Sequence, residues 1–221
     1  MAKRCVYCLE NAELGGDQVL VRGDHLYLCA PRGQLTEGYL VIAPYHCVGS
    51  LSRLPRRSFA ELARLKRTVE SFYRVTYRVA QPIFYEQGRG GGGAVVDEAG
   101  GFPLHAHLCA LPVTLDLHTG LAGAYLQRTV SGPRELATAA AGEPYVYVEG
   151  LDALGVYQRA VYLGRSDRAR KELERLRLKP VVAARMGLPG RGDWRAYPGD
   201  RELRQLVAKF IAHGEKGERD G

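Results

Sequence analysis

Residues 103–112 read Pro-Leu-His-Ala-His-Leu-Cys-Ala-Leu-Pro, and the interpretation of the whole chain starts from this stretch. His105, His107 and Cys109 alternate in it with Ala106, Leu108 and Ala110, which are apolar. Successive side chains of a β-strand point to opposite faces of the sheet. A strand here therefore places two imidazoles and a thiol in one row, with the histidines about 7 Å apart. The alternative is a solvent-facing strand whose histidines are incidental.

Composition bounds the class of protein. The chain has 221 residues, of which 46% are hydrophobic and 25% charged, as is typical of a globular protein that buries a core. Its start, Met-Ala-Lys-Arg, lacks the apolar segment of a secretory signal, and no apolar run is long enough for a membrane span, so a cytoplasmic location and no membrane partner are expected. Five cysteines, an odd number, favour metal binding or free thiols over disulfides. The net charge of +7 favours anionic partners.

The first half of the chain predicts antiparallel strands and one helix. Strands at 18–22 and 25–30 flank the turn signal Gly23-Asp24, and a third strand is expected at 39–43. Residues 55–78 carry apolar residues at helical spacing. The basic residues among them are predicted to lie on the solvated face of that helix; they include Arg56, Arg57, Arg64, Lys66 and Arg67.

A glycine-rich stretch follows the strand predicted at 82–86. It reads Gln87-Gly88-Arg89 and then Gly90 to Gly93. Consecutive glycines let backbone N–H groups approach an anion closely. Neither a Walker loop nor a dinucleotide fingerprint is present, because the lysine and the helix that those motifs need are missing. A phosphate cradle and a flexible hairpin loop both fit the stretch.

The second half predicts alternating helices and strands. A helix is expected at 116–127, strands at 145–149 and 156–163, a basic helix at 167–187 interrupted at Pro180, and a last helix at 200–213. Residues 214–221 are charged and predicted to be disordered.

A structural metal site is the first chemical hypothesis. Cys5 and Cys8 have the two-residue gap of zinc knuckles, and zinc takes four Cys or His ligands. His46 and His105, each at the end of a predicted strand, can complete a closed Zn²⁺ site. Cys29, Cys47 and Cys109 are rival ligands, and two purely structural thiols are the alternative at Cys5 and Cys8.

His107 then stays free for catalysis. A neutral imidazole can attack phosphorus through one nitrogen while the other nitrogen donates its proton to a backbone carbonyl. The amides of Gly90 to Gly93, with Gln87 and Arg89, can stabilise the phosphate charge. General-base action of His107 on water is the competing role.

These motifs resemble the histidine-triad (HIT) superfamily of nucleotide hydrolases and transferases. Residues 105–111 are similar to its signature of alternating histidines, and residues 25–46 are similar to its strand–turn–strand. Residues 144–148 and 187–195 resemble the C-terminal parts of CwfJ-like proteins, a HIT-like branch associated with splicing and lariat RNA turnover.

The resemblance implies an α+β fold with an antiparallel sheet flanked by helices, on which a C-terminal α/β extension packs. It implies a HIT-like nucleotide-binding and catalytic domain at 1–117, a CwfJ-like region at 118–213 and a disordered tail at 214–221. It also allows a homodimer.

The resemblance further implies residue roles. His107 takes the position of the family nucleophile, which forms a nucleotidyl-histidine intermediate. The zinc ligands of related proteins fall on Cys5, Cys8, His46 and His105. Substrate phosphate contacts fall on Glu86, Gln87 and Gly88, and the third motif position falls on Cys109. The glycine-rich stretch adds Arg89, Gly90 and Gly91 as predicted phosphate contacts.

Cys109 departs from the family pattern, which has His or Gln at this position. A thiol is a weak hydrogen-bond donor, so support for the phosphate is expected to be poorer and a buried inert thiol is expected. The leading hypothesis is a zinc-stabilised nucleotide hydrolase or nucleotidyltransferase acting on a nucleotide or nucleotide conjugate. The alternatives are a catalytically weak CwfJ-like RNA-binding or adaptor protein, supported by the charge and the basic helix at 165–185, and a zinc-held scaffold for a protein partner.

Overall fold

One antiparallel sheet of eight strands organises the molecule. The computed structural model describes Tyr7 and residues 18–89 and 105–219, with side chains up to 215. The strand order is β1-β2-β3-β5-β4-β7-β8-β6, and every neighbouring pair is antiparallel. The strands are β1 (Val19–Arg22), β2 (Leu26–Cys29), β3 (Leu40–Pro44), β4 (Ile83–Gly88), β5 (Leu108–Leu111), β6 (Leu126–Thr129), β7 (Tyr145–Leu151) and β8 (Tyr157–Leu163).

Six α-helices accompany this sheet in the described part of the chain. They are α1 (Ser58–Thr76), α2 (His118–Ala124), α3 (Leu136–Ala140), α4 (Asp167–Arg175), α5 (Leu178–Arg185) and α6 (Asp200–Arg219). The helix predicted at 116–127 is shorter, because β6 begins at Leu126 and pairs with β8. The last helix extends past its predicted end at 213, so the predicted disordered tail is helical as far as Arg219.

The basic segment 167–187 breaks at a different residue from the one predicted. Two helices replace the expected one, and the break falls at Leu176 and Arg177. Pro180 instead lies in the first turn of α5. A proline is tolerated there because the first N–H groups of a helix have no intrahelical acceptor.

Each face of the sheet has its own apolar core. On one face α1 buries Leu62, Leu65, Val69 and Phe72, and α6 adds Leu206. On the other face α4 and α5 bury Leu173, Leu178 and Val182 against Val41, Tyr85 and Leu111. We call these the α1 face and the α5 face. The protein is thus a three-layer α+β structure with the sheet in the middle, and the predicted fold class is confirmed.

The residues after 117 join the same sheet. β7 pairs with β4 from Phe84↔Glu149 to Gly88↔Tyr145, so β7, β8 and β6 continue the sheet edge to edge. The predicted C-terminal extension therefore shares a hydrogen-bonded strand pair with the N-terminal part, besides packing α4 and α5 on its face. No described helix is both long and apolar enough to span a membrane.

One basic residue of α1 lies inward, against the prediction. Lys66 is buried, and its Nζ lies 2.6 Å from both carboxylate oxygens of Glu149 on β7. Glu149 is fully buried and also accepts hydrogen bonds from Tyr147 and Arg159. A buried charge is tolerated when it is paired and hydrogen-bonded. Arg56, Arg57, Arg64 and Arg67 are exposed, as the periodicity predicts.

Candidate active site

The tautomer of His107 follows from its backbone contact. Nδ1 of His107 lies 2.7 Å from the carbonyl oxygen of His105. A carbonyl oxygen only accepts, so Nδ1 carries the proton and donates it. In the neutral ring Nε2 is then the unprotonated nitrogen with a free lone pair. The side chain is half-buried, so part of it remains accessible.

His107 and Cys109 share the α5 face, as the alternating pattern predicts. The strand β5 begins only at Leu108, so His107 precedes it. A backbone hydrogen bond from Ala106 N to Val48 O, at 2.7 Å, fixes the chain before the strand. Cys109 lies opposite Val41 on β3 and Tyr85 on β4. Its side chain is 3% exposed and its Sγ lies 3.1 Å from the hydroxyl of Tyr39.

The imidazole of His107 and the thiol of Cys109 titrate as a pair. Burial opposes charge on both groups, but each favours the charged form of the other through attraction and a hydrogen bond. The pKa of His107 is accordingly raised and the pKa of Cys109 is lowered. Hydrogen bonding from the hydroxyl of Tyr39 also favours the thiolate. The two side chains therefore favour each other's charged form, and Cys109 is buried as predicted but sits in polar surroundings.

Aromatic and basic residues around this pair were not singled out from the sequence. The ring of Tyr7 stacks on His107 with 4.8 Å between ring centroids, and its carbonyl accepts a bond from Tyr27. Lys179 of α5 donates to Gly33 O at 2.7 Å and lies over the ring of Tyr39. Tyr7 could have been found from its place between Cys5 and Cys8. Lys179 could not, because 70 residues separate it from Cys109 and only the packing of α5 unites them.

The predicted phosphate contacts have structural partners of their own. Glu86 lies on the α1 face, where its carboxylate accepts from Leu51 N at 2.6 Å and Tyr145 OH at 2.7 Å. Burial raises its pKa to about 7, although those two bonds and the charge of His107 act in the opposite direction. Its predicted role toward substrate stays a prediction.

The residues after Glu86 connect β4 to the α4–α5 segment. Gln87 donates to Leu173 O at 3.0 Å, and the guanidinium of Arg89 donates to Glu174 O. Packing explains the glycine at position 88, because a Cβ there would lie 2.2 Å from the ring of Tyr145. Gly90 and Gly91, with the rest of the glycine run, lie outside the described residues, as do Cys5 and Cys8.

His105, a predicted metal ligand, lies next to the thiol of Cys47. Its Nε2 donates to Pro44 O at 2.8 Å, which leaves Nδ1 as the lone-pair nitrogen, and Nδ1 lies 3.4 Å from Sγ of Cys47. Burial lowers the pKa of His105 to about 4, so the ring is neutral. His46 is exposed, and His105 contacts Pro44 and Cys47, which flank His46 in the chain.

This arrangement fits a zinc site. Two ligands of one tetrahedral Zn²⁺, a thiolate at about 2.3 Å and an imidazole nitrogen at about 2.0–2.1 Å, stand roughly 3.6 Å apart, close to the observed Cys47–His105 separation. A ligating histidine also commonly donates its other N–H to a backbone carbonyl, as His105 does. The described residues alone contain no group of three or more candidate ligands, and the Cys5–Cys8 pair lies outside them.

Comparison with known proteins addresses the resemblance. Residues 1–91 match the family model described as "Protein similar to CwfJ C-terminal". No curated protein matches the chain. A hypothetical histidine triad nucleotide-binding protein from Sulfolobus tokodaii is 16% identical with a TM-score of 0.37, over 49% of this chain and 68% of that one. A Hit-like protein involved in cell-cycle regulation from Bartonella henselae is 10% identical with a TM-score of 0.34, over 47% of this chain and 71% of that one.

The family match covers the N-terminal part of the chain, and the two structural likenesses are weak. The two structural likenesses, with TM-scores below 0.5, assign neither a fold nor a function to this chain. The family match includes β1 to β4 with His46, Cys47 and Glu86, and it ends before His105 and His107. The CwfJ-like resemblance is confirmed through residues 1–91, which are similar to the CwfJ C-terminal family, and the two segments that suggested it, 144–148 and 187–195, lie outside the match.

Proposed function

We propose that this protein is a zinc-stabilised nucleotide hydrolase or nucleotidyltransferase in which His107 forms the covalent nucleotidyl intermediate. The observation that carries the proposal is the bond from Nδ1 of His107 to His105 O, at 2.7 Å. It orients the ring and leaves Nε2 as the nucleophile on a half-buried side chain. The neighbouring thiol supplies a group that can exchange a proton with the reaction.

In the first step the Nε2 lone pair of His107 attacks the α-phosphorus of a nucleotide or nucleotide conjugate. The N–P bond forms, the P–O bond to the leaving group breaks, and the thiol of Cys109 gives its proton to the departing oxygen. The form of the pair that reacts is thus neutral imidazole with protonated thiol. Tyr39, whose hydroxyl lies 3.1 Å from Sγ, stabilises the thiolate that results.

In the second step water or an acceptor hydroxyl attacks the same phosphorus. The N–P bond breaks, the attacking oxygen loses its proton to the Cys109 thiolate, and the pair returns to its starting state. Proton transfer of this kind contributes about 10²- to 10⁴-fold in rate. The phosphate contacts of the Gly90 and Gly91 amides, of Gln87 and of Arg89 remain part of the proposal.

Zinc has a structural role in this proposal. The ligands would be Cys5, Cys8 and His105, completed by Cys47, which the 3.4 Å contact favours over His46 as fourth ligand. A closed site of this kind contributes folding free energy and takes no part in the chemistry. It would hold His105, and through the carbonyl of His105 the ring of His107.

The test is to trap the intermediate. The protein is mixed with a panel of α-³²P-labelled nucleoside triphosphates and nucleoside phosphoramidates, quenched in base, digested and mapped by mass spectrometry. We expect an acid-labile nucleotidyl adduct on the peptide that contains His107, with loss of adduct and turnover in His107→Ala. His25→Ala, which alters a half-buried histidine on the far strand pair, is the matched control. Turnover that persists in His107→Ala, or no adduct and no turnover across the panel, contradicts the proposal.

A further inference from the structure

The outward side of α1 carries a stripe of arginines that the proposed function does not use. Residues 53–78 contain eight basic and two acidic residues. We define the α1 stripe as the five exposed arginines at the start of the helix and along it: Arg56, Arg57, Arg64, Arg67 and Arg74. Such a density of one charge on one element is compensated by counterions from solvent, by carboxylate partners or by an anionic ligand.

Carboxylate partners are missing within the described chain. None of the five guanidinium groups forms a salt bridge with a residue in the described ranges. The segment has two carboxylates of its own. Glu61 accepts hydrogen bonds from the backbone N–H groups of His25 and Leu26. Glu70 forms no salt bridge with described residues. The positive charge of the stripe is therefore uncompensated.

The other basic helices differ in this respect. On α4, Arg168 pairs with Glu172, and Arg170 pairs with Glu143 and Asp167. On α6, Lys209 pairs with Glu37. Two basic residues of the segment 165–185, Arg168 and Arg170, are thus ion-paired, whereas no arginine of the α1 stripe is paired with a described carboxylate.

The geometry of the stripe suits an extended anion. At 100° per residue, Arg64, Arg67 and Arg74 fall within about 80° of one another around α1, and Arg56 and Arg57 lie in the turn just before it. From Arg57 to Arg74 the stripe is about 25 Å long at 1.5 Å per residue. A compact anion such as one nucleotide would meet only one or two of them, so the ligand must be a chain of charges of comparable length.

We infer that the α1 stripe binds the phosphate backbone of a nucleic acid. Arginine presents a planar set of donors that matches a phosphate group in a bidentate way, better than lysine does. All five cations of the stripe are arginine. Aromatic side chains, which would read bases by stacking, are buried on α1 rather than exposed, so recognition through phosphates without sequence preference is expected.

A membrane surface is the competing anionic partner, and the stripe fits it less well. Amphipathic helices that bind membranes place large apolar side chains beside their basic ones. Among the exposed large apolar residues of the described chain, α1 contributes only Val75. Its apolar side, with Leu62, Val69 and Phe72, is committed to the core on the α1 face.

The stripe is separate from the candidate active site. α1 covers one face of the sheet, and His107 and Cys109 lie on the other. A nucleic acid held on α1 leaves the His107 pocket free. Loss of binding and loss of nucleotide turnover are therefore expected from different variants, and either proposal can fail without the other.

The experiment compares two triple variants of the full chain. The stripe variant is Arg57→Gln, Arg64→Gln, Arg67→Gln; the matched control is Arg168→Gln, Lys171→Gln, Arg177→Gln, which removes three exposed charges from the α5 face. Binding to a fluorescent 20-mer of mixed sequence, as single-stranded RNA and as single-stranded DNA, is measured by anisotropy at several salt concentrations. Flotation with phosphatidylserine vesicles is measured in parallel, and thermal unfolding checks that both variants fold.

We expect the unmodified protein to bind both oligonucleotides with a slope of log K against log salt near −3.5, from about five phosphate contacts at −0.7 each. The stripe variant should bind about tenfold or more weakly at 0.1 M salt, with a slope smaller in magnitude by about 2. The control should match the unmodified protein. Equal binding by the stripe variant and the control, no oligonucleotide binding at all, or binding to vesicles alone would overturn the inference.

Discussion

The thiol of Cys47 lies 3.4 Å from Nδ1 of His105, at the point where β3 ends and the row of histidines begins. Nε2 of the same ring donates to Pro44 O, so the ring is held between a carbonyl and a sulfur. A sequence with a cysteine pair near its start and two histidines in its predicted strands suggests a Cys₂His₂ set. The contact makes Cys47 a candidate ligand beside His46, and the proposed site uses the resulting Cys₃His set.

The first prediction separates these ligand sets. Cys47→Ala should lower the zinc content and the midpoint of thermal unfolding, because a structural zinc site contributes to folding free energy. His46→Ala should leave both unchanged, since the proposed ligand set uses Cys47 in place of His46. Metal analysis by mass spectrometry and thermal unfolding before and after chelation provide the readouts. Full zinc occupancy in Cys47→Ala with loss in His46→Ala would restore the set predicted from sequence.

The second prediction concerns the proton of Cys109. If the thiol protonates the leaving group, Cys109→Ala should slow turnover of substrates with poor leaving groups by about 10²-fold or more. Substrates with good leaving groups, such as nitrophenyl esters of nucleotides, need little protonation and should be affected much less. The measurement is kcat against leaving-group pKa in both proteins. A uniform loss across the series would assign Cys109 a packing role only.

The third prediction concerns pH and Glu86. Burial raises the pKa of this carboxyl from 4.5 to about 7. A folded-state pKa above the unfolded value means that the stabilising contribution is fully present below pH 4.5 and is lost as the pH rises through 7. The loss amounts to as much as about 3 kcal/mol. Denaturant unfolding from pH 5 to 8 should therefore show a smaller decline in Glu86→Gln than in the unmodified protein.

The exposed change Glu215→Gln is the control for that experiment and should leave the pH profile unchanged. Identical profiles for Glu86→Gln and the unmodified protein would show that Glu86 stays ionised throughout the range.

The fourth prediction concerns the buried ion pair. Lys66→Met leaves the fully buried Glu149 with Arg159 as its remaining cation and should lower the free energy of unfolding by about 3 kcal/mol. Adding Glu149→Gln should recover part of the loss, because the unpaired buried charge is then gone. Chemical denaturation measures both variants. A loss below about 1 kcal/mol in Lys66→Met would mean that solvent or Arg159 compensates the carboxylate.

Short-range patterns determined much of this protein from the sequence alone. Alternation placed His107 and Cys109 on one face of the sheet, and helical spacing predicted α1 with Phe59, Leu62 and Val69 inward. Both periods follow from backbone geometry, so they can be read without knowing the partners. The row at 105–109 followed from this alternation, and the sheet flanked by helices followed from the family resemblance.

Contacts between distant residues were decided only by the tertiary structure. Lys66 turns inward because Glu149 lies beneath it on β7, 83 residues further along the chain. Glu86 accepts hydrogen bonds from Leu51 and Tyr145 on the α1 face, and the thiol of Cys47 lies 3.4 Å from His105. Strand register and loop direction set these pairs, and a shift of one residue reverses which side chain points where. The sequence therefore supplied the candidate chemistry, and the packing of the sheet against its two helical layers selected which residues stand together.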